Sequence, residues 1–215
     1  PLDRWVLSKA GAMAESYHQQ FEDWDFHKAG RALEDFVVND LSNWYVRRSR
    51  RRLWSESDSD DKRSCQHTLH EVLLLVCKLM APVSPFMPDV IHRALAGSSV
   101  HLADWPVGSE IVEASLPPRD YPLEQQMELV RSLAESGRRI RVENNRRQRL
   151  PCRYGWIVGG PDLSDFHDIL AEELNVEELL TVDDLDVFQR IVLEPNRKSL
   201  GAKCRSDSYT HLRAH

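Results

Sequence analysis

Asn39-Asp40-Leu41-Ser42-Asn43-Trp44-Tyr45-Val46-Arg47-Arg48-Ser49-Arg50-Arg51-Arg52-Leu53-Trp54 sets the terms on which the rest of the chain is read. Taken as a helix, it puts Leu41, Trp44 and Tyr45 on one face, at spacings of three and four. That face can bury aromatic area against a neighbouring helix. The arginines follow at once: five of the six residues from Arg47 to Arg52. A guanidinium suits phosphate because its planar fork makes two parallel hydrogen bonds. One end of the stretch therefore packs into a protein core and the other presents a cationic surface. A solvated, salt-bridged helix end is the competing reading of the same run.

The charge of the whole chain bounds the class of partner. The 215 residues carry a net charge of −6, so unspecific nucleic-acid binding is disfavoured and any basic surface must be local. The clustering is local: 11 of the 28 Lys and Arg residues sit in Arg47–Arg52 and Arg138–Arg149. None of Cys65, Cys77, Cys152 and Cys204 forms a C-x-x-C pair, so no zinc site and no disulfide is expected. His67 and His70 stand at i and i+3 without a third ligand nearby, and no metal is expected there. No apolar run approaches the roughly 18 residues of a membrane span.

Working outward, the apolar period predicts one helix over Asp3–Phe21 and a second from about Phe26 to Trp54, with a kink near Asn39-Asp40. Asp40 falls on the apolar side and is expected to play a structural part, as a cap or paired with another group such as an arginine. A polar, acidic loop, residues 55–61, precedes a third helix to Met80, whose second half is apolar nearly all round and belongs at the centre of a bundle. Met80-Ala81-Pro82-Val83-Ser84-Pro85-Phe86-Met87-Pro88 breaks that helix, and its Met, Val and Phe are expected in the core. A fourth helix from about Pro88 ends before Gly97. After the linker, a helix from Tyr121 to about Arg146 carries the second arginine window. Arginines at a helix C-terminus are also favoured by the dipole alone. Beyond Leu150 the pattern changes to strands at Tyr154–Val158, Glu177–Val182 and Phe188–Leu193 around a helix at Asp162–Glu173. The fold class is thus mainly α: an antiparallel helical bundle (1–106), a linker (107–120), a helix plus small α/β module (121–201) and an atypical tail (202–215). Trp5, Phe36, Trp44, Leu73, Val76 and Phe86 are the expected core of the bundle.

Several strings also carry a family resemblance. Leu41-Ser42-Asn43-Trp44-Tyr45-Val46-Arg47-Arg48 resembles the anticodon-binding domain of isoleucyl-tRNA synthetases of the eukaryote-like type. The Met80–Phe86 turn and the strap Ser99-Val100-His101-Leu102-Ala103-Asp104-Trp105-Pro106 are similar to those of the isoleucyl, valyl and leucyl enzymes. Glu172-Glu173-Leu174-Asn175-Val176 and Glu194-Pro195-Asn196-Arg197-Lys198-Ser199-Leu200-Gly201 resemble strings of the isoleucyl C-terminal region, with Arg197 where an aromatic is usual and the likeness lost after Gly201. His101 and Trp105 are read as packing residues.

The resemblance implies a ligase that attaches isoleucine to its tRNA using ATP and Mg in catalytic and editing domains of the same chain, in the cytoplasm. Neither nucleotide-binding signature of that catalytic fold occurs in these residues, so no catalytic residue and no cofactor is expected here. The implied partner is isoleucine tRNA, not DNA and not a membrane. The expected phosphate contacts are Arg47, Arg48, Arg50, Arg51 and Arg52. Tyr45 is a possible stacker whose alternative use is core packing, and Arg138, Arg139, Arg141, Arg146 and Arg147 form a second, weaker set. The alternatives are a helical protein–protein interaction module, a non-functional synthetase fragment, or the equivalent part of a valyl or leucyl enzyme.

Overall fold

The computed structural model describes residues 1–106 and 119–182. Helix α1 (Leu2–Glu22) lays Leu2, Trp5, Val6, Ala10, Met13, Ala14 and Tyr17 along one face, the repeat of a core-facing stripe. Helix α2 (Phe26–Asp35) starts at Asp25, whose carboxylate accepts the Lys28 N–H. It runs without a break through a π-helical segment (Phe36–Val46) into α3 (Arg47–Leu53), because the residues at both junctions keep right-handed helical dihedrals.

The expected kink at Asn39-Asp40 is therefore a widened turn. Its inward residues are Phe36, Asp40, Leu41, Trp44 and Tyr45, at spacings of four and five that fit i→i+5 bonding. Asp40 is buried, and its partners are Arg131, at 2.5 Å, and Lys9, at 3.5 Å. The Arg131 guanidinium lies over the rings of both Trp5 and Trp44.

Helix α4 (Asp60–Met80) crosses the centre of the bundle, with Cys65, Thr68, Val72, Leu75, Val76, Cys77 and Leu79 buried; Leu73 is only partly buried against that core. Helix α5 (Phe86–Ala96) ends at Gly97 with φ 74°, a conformation that glycine adopts without strain. The proline turn corrects an expectation. Phe86 is 84% exposed, and Met80, Val83 and Met87 are exposed with it. The reason is phase: α5 turns Pro88 and His92 inward, so Phe86, Met87 and Val90 face away. His92 instead holds the strap through a 2.8 Å contact between Nδ1 and the Ser98 carbonyl. Trp105 packs against Tyr17 and Phe21, and its indole N–H donates to His18.

Helix α6 (Tyr121–Glu143) is pinned to α1 at its start. The Asp120 N–H donates to Ser8 Oγ, whose hydroxyl donates to Glu124, and Arg4 pairs with Asp120. Leu123, Met127, Val130 and Ala134 of α6 join the same buried cluster as α1 and α4, and so do Leu163, Phe166 and Leu170. A parallel pair, β1 (Cys152–Val158) and β2 (Val176–Val182), is bridged by α7 (His167–Leu174), with Cys152 opposite Val176 and Val158 opposite Val182. Among the described residues no strand precedes Trp105. Most of the linker, the Phe188–Leu193 strand and the tail lie outside the described residues. No described helix is long and apolar enough to cross a membrane.

Candidate nucleic-acid interface

Successive residues of an α-helix turn by about 100°, so in α3 the side chains of Arg47, Arg50, Arg51 and Trp54 fall within one arc of about 100°. Arg48 and Arg52 fall beside that arc and Ser49 behind it. The structure follows this division: the residues of the arc are exposed, whereas Ser49 is fully buried and Arg48 and Arg52 are partly covered.

The covered arginines hold the molecule together. The Arg48 side chain is only 5% exposed, and its two terminal nitrogens donate to Glu173 at 2.5 Å and to Glu172 at 2.8 Å. Burial pulls its pKa below the ordinary arginine value, while Glu173 and Glu172 pull the other way. Arg52 makes a two-pronged pair with Asp3, at 2.8 and 2.6 Å, and a third bond to Asp61. Hydrogen bonding to Asp3 raises the Arg52 pKa further, so it stays charged throughout.

Tyr45 belongs to the same cluster. It is fully buried, and its hydroxyl donates to Asp3 at 2.8 Å and lies near Cys65. Burial pushes the phenol pKa up, helped by the hydrogen bonding at Cys65 and by the Asp3 charge. No base can stack on a ring so placed; core packing is the use the structure gives it.

The exposed arc is different. Arg51 is 88% exposed and reaches Glu172 only at 3.1 Å, and Arg47 is half exposed, donating to Glu173. Arg50 has no carboxylate partner among the described residues; its guanidinium lies 5.6 Å from the centre of the Trp54 ring. Together with Arg48, Asp168, Glu172, Glu173 and Asn175, two of these arginines, Arg47 and Arg51, line an open cleft of about 680 Å³.

Glu173 is where the two arginine windows meet. Its carboxylate, 7% exposed, accepts from Arg47 and Arg48 of α3 and from Arg138 of α6. Gly137 lies where α6 approaches α7, and a Cβ there would meet the end of the Leu174 side chain, which would have to move aside. Arg141 is buried and takes no part in a surface. It donates to the carbonyls of Arg147, Leu150, Leu174 and Asn175, and so satisfies the open C-terminus of α7. Asn175 ends α7 with φ 50°, a left-handed position that Asn tolerates better than most residues. Arg139, Arg146 and Arg147 are exposed.

Sequence reasoning did not single out Glu173, Trp54 or the internal role of Arg141. The helical phase of 47, 50, 51 and 54 was a usable signal for Trp54; nothing local marked Glu173 as a hub. Among the described residues no three metal-ligating side chains come together. His70 faces Glu71 and the Leu95 carbonyl, and His67 faces Glu71.

Residues 3–154, which take in α1 from its second residue and all of α2 to α6, match the family model of the anticodon-binding domain of tRNA ligase. The chain belongs to that family. Among its relatives are the isoleucine–tRNA ligases of Thermobifida fusca, 40% identical over 212 residues, and of Chlamydia trachomatis, 33% identical over 210 residues. Isoleucine–tRNA ligase 2 of Bacillus cereus is 35% identical over 206 residues. Each match covers 94% of this chain. The chain spans 19–20% of the length of these relatives. Because the family match ends near Tyr154, the last part of the α/β module, with Glu172 and Glu173, is supported by the relatives rather than by the family model.

Proposed function

We propose that this chain recognises the anticodon arm of isoleucine tRNA as part of an isoleucine–tRNA ligase, acting in the cytoplasm. The attachment of isoleucine, with ATP and Mg, belongs to catalytic residues outside these 215. The observation that carries the reading is the exposed cationic arc of α3, Arg47, Arg50 and Arg51, inside the family-matched region of an otherwise acidic chain. A net charge of −6 repels RNA at long range, so binding must be concentrated where local charge is positive. Arg139, Arg146 and Arg147 offer a second exposed group at the far end of α6. Arg48 and Arg141 contribute indirectly, by fixing α3 and α6 against α7, and Arg52 by fixing α3 against α1 and α4. Tyr45 does the same from the core.

Titration of isoleucine tRNA and an unrelated RNA hairpin against the chain, at several salt concentrations, tests the proposal. Tighter, salt-dependent binding of the tRNA is expected. Equal binding of both RNAs, or none, would remove this reading and leave a helical protein-interaction module as the better description.

A further inference from the structure

Trp54 is the largest apolar side chain on the cationic arc, and it is 79% exposed. Exposure alone does not set it apart, since Trp24 is equally exposed; what marks Trp54 is its place among the exposed arginines of α3, with a guanidinium over its ring. Its backbone is ordinary: the Trp54 N–H closes the last turn of α3 on the Arg50 carbonyl at 3.0 Å. Arg50 lies over the ring, 5.6 Å from its centre, and has no other charged partner among the described residues. Arg51 and Arg47 flank the pair on the same arc, each aimed at solvent over part of its length.

We infer that Trp54 is a stacking platform for an unpaired RNA base, with Arg50 as its cationic partner and Arg51 and Arg47 taking the neighbouring phosphates; this rests on the proposed RNA binding. The chemistry fits an unstacked nucleobase better than a duplex. A π-face attracts a π-face whatever its sequence, and a guanidinium plane supports either a ring or a phosphate. An indole adds nothing to a paired helix, whose bases are already stacked. Charge complementarity is local and of the right sign, since the arc holds three arginines and no acid. The acids that approach it, Glu172 and Glu173, sit on the Arg47 and Arg51 side and leave the Arg50 and Trp54 side open.

The test uses the whole chain and two probes: the anticodon stem-loop of isoleucine tRNA, and the same stem as a blunt duplex without unpaired bases. Trp54→Ala should weaken stem-loop binding roughly 5- to 150-fold, the range found for removing one base–aromatic stack. The dependence of affinity on salt should not change, because no charge is lost. Duplex binding should be unaffected, and Trp54→Phe should restore most of the stem-loop affinity. The fluorescence of the wild type should be quenched by the stem-loop more than that of Trp54→Phe, which reports the indole directly. Circular dichroism should show all variants folded. Unchanged stem-loop affinity in Trp54→Ala, or equal losses on stem-loop and duplex, would overturn the inference while leaving the proposed RNA binding intact. If the wild type binds neither probe, the RNA reading fails and the inference falls with it.

Discussion

The two arginine windows look alike in sequence and behave differently in the fold. In Arg47–Arg52 the helical phase alternates the residues between two jobs. Arg48 and Arg52 turn toward Glu172, Glu173, Asp3 and Asp61, whereas Arg50 turns outward and the more exposed Arg47 and Arg51 reach Glu173 and Glu172 from the solvent side. In Arg138–Arg149 the helix ends at Glu143, so phase governs only the first members. Arg138 joins Glu173, Arg141 is swallowed by four backbone carbonyls, and Arg146, Arg147 and Arg149 sit exposed beyond the helix. A run of like charges therefore has no single meaning. Its position on a helix decides which members bind the protein and which remain for a partner.

The largest expected effect is at the point where the windows meet. Glu173→Gln takes the shared counter-charge from Arg47, Arg48 and Arg138, and Arg48 is nearly buried. Removing one partner of a buried ion pair costs about 3–5 kcal/mol, and Glu172 still faces Arg48, so a loss of about 3 kcal/mol is expected in urea unfolding. A loss under about 1 kcal/mol would mean that the two windows are not coupled through this carboxylate. Arg141→Met should cost a similar or slightly smaller amount, about 2–3 kcal/mol, because it leaves the α7 carbonyls to find water. It should leave the salt dependence of RNA binding unchanged. A flatter salt dependence would place Arg141 on the RNA after all.

Acid should sharpen the same contrast. Burial works against ionisation of Asp3, but hydrogen bonds from Arg52 and Tyr45 outweigh it and hold its pKa below the ordinary value near 3.8. Asp89, held by Ser99, Arg93 and the Val100 N–H, is pulled down to about 2. Both depressed carboxylates contribute stability that is complete above the ordinary value and fades as pH falls from about 4 through 2. Acid unfolding of Asp89→Asn should therefore be less steep between pH 4 and 2 than that of the wild type. Equal steepness would show that the strap is not held by this charge. The exposed arc should show the smallest stability effect: Arg50→Ala with Arg51→Ala is expected within about 0.5 kcal/mol of wild type.

Much of this architecture was legible because periodicity reports burial. Helices α1, α4 and α6 came from apolar spacing, and the change to strands after Leu150 is where β1 and β2 lie. The π-helical turn was not legible, since its wider spacing imitates a kinked α pattern around Asp40. Phe86 was misjudged because a phenylalanine between prolines reads as core, whereas the register of α5 faces it to solvent. The arginine runs were visible at once. Their division was not, because it depends on Asp3, Glu172 and Glu173, which are distant in sequence and arrive only through tertiary packing.

On the proposed function, the exposed arginines of α3 meet phosphate and the covered ones do not. Titrating isoleucine tRNA against the wild type and the Arg50→Ala/Arg51→Ala double variant at several salt concentrations measures it directly. Weaker binding by the double variant, with a fold intact by circular dichroism, is expected. The slope of log affinity on log salt should become shallower by roughly 0.7 to 0.9 for each phosphate that is no longer neutralised. Parallel lines of equal affinity would contradict it, and would make the whole run, outward face included, a solvated helix end.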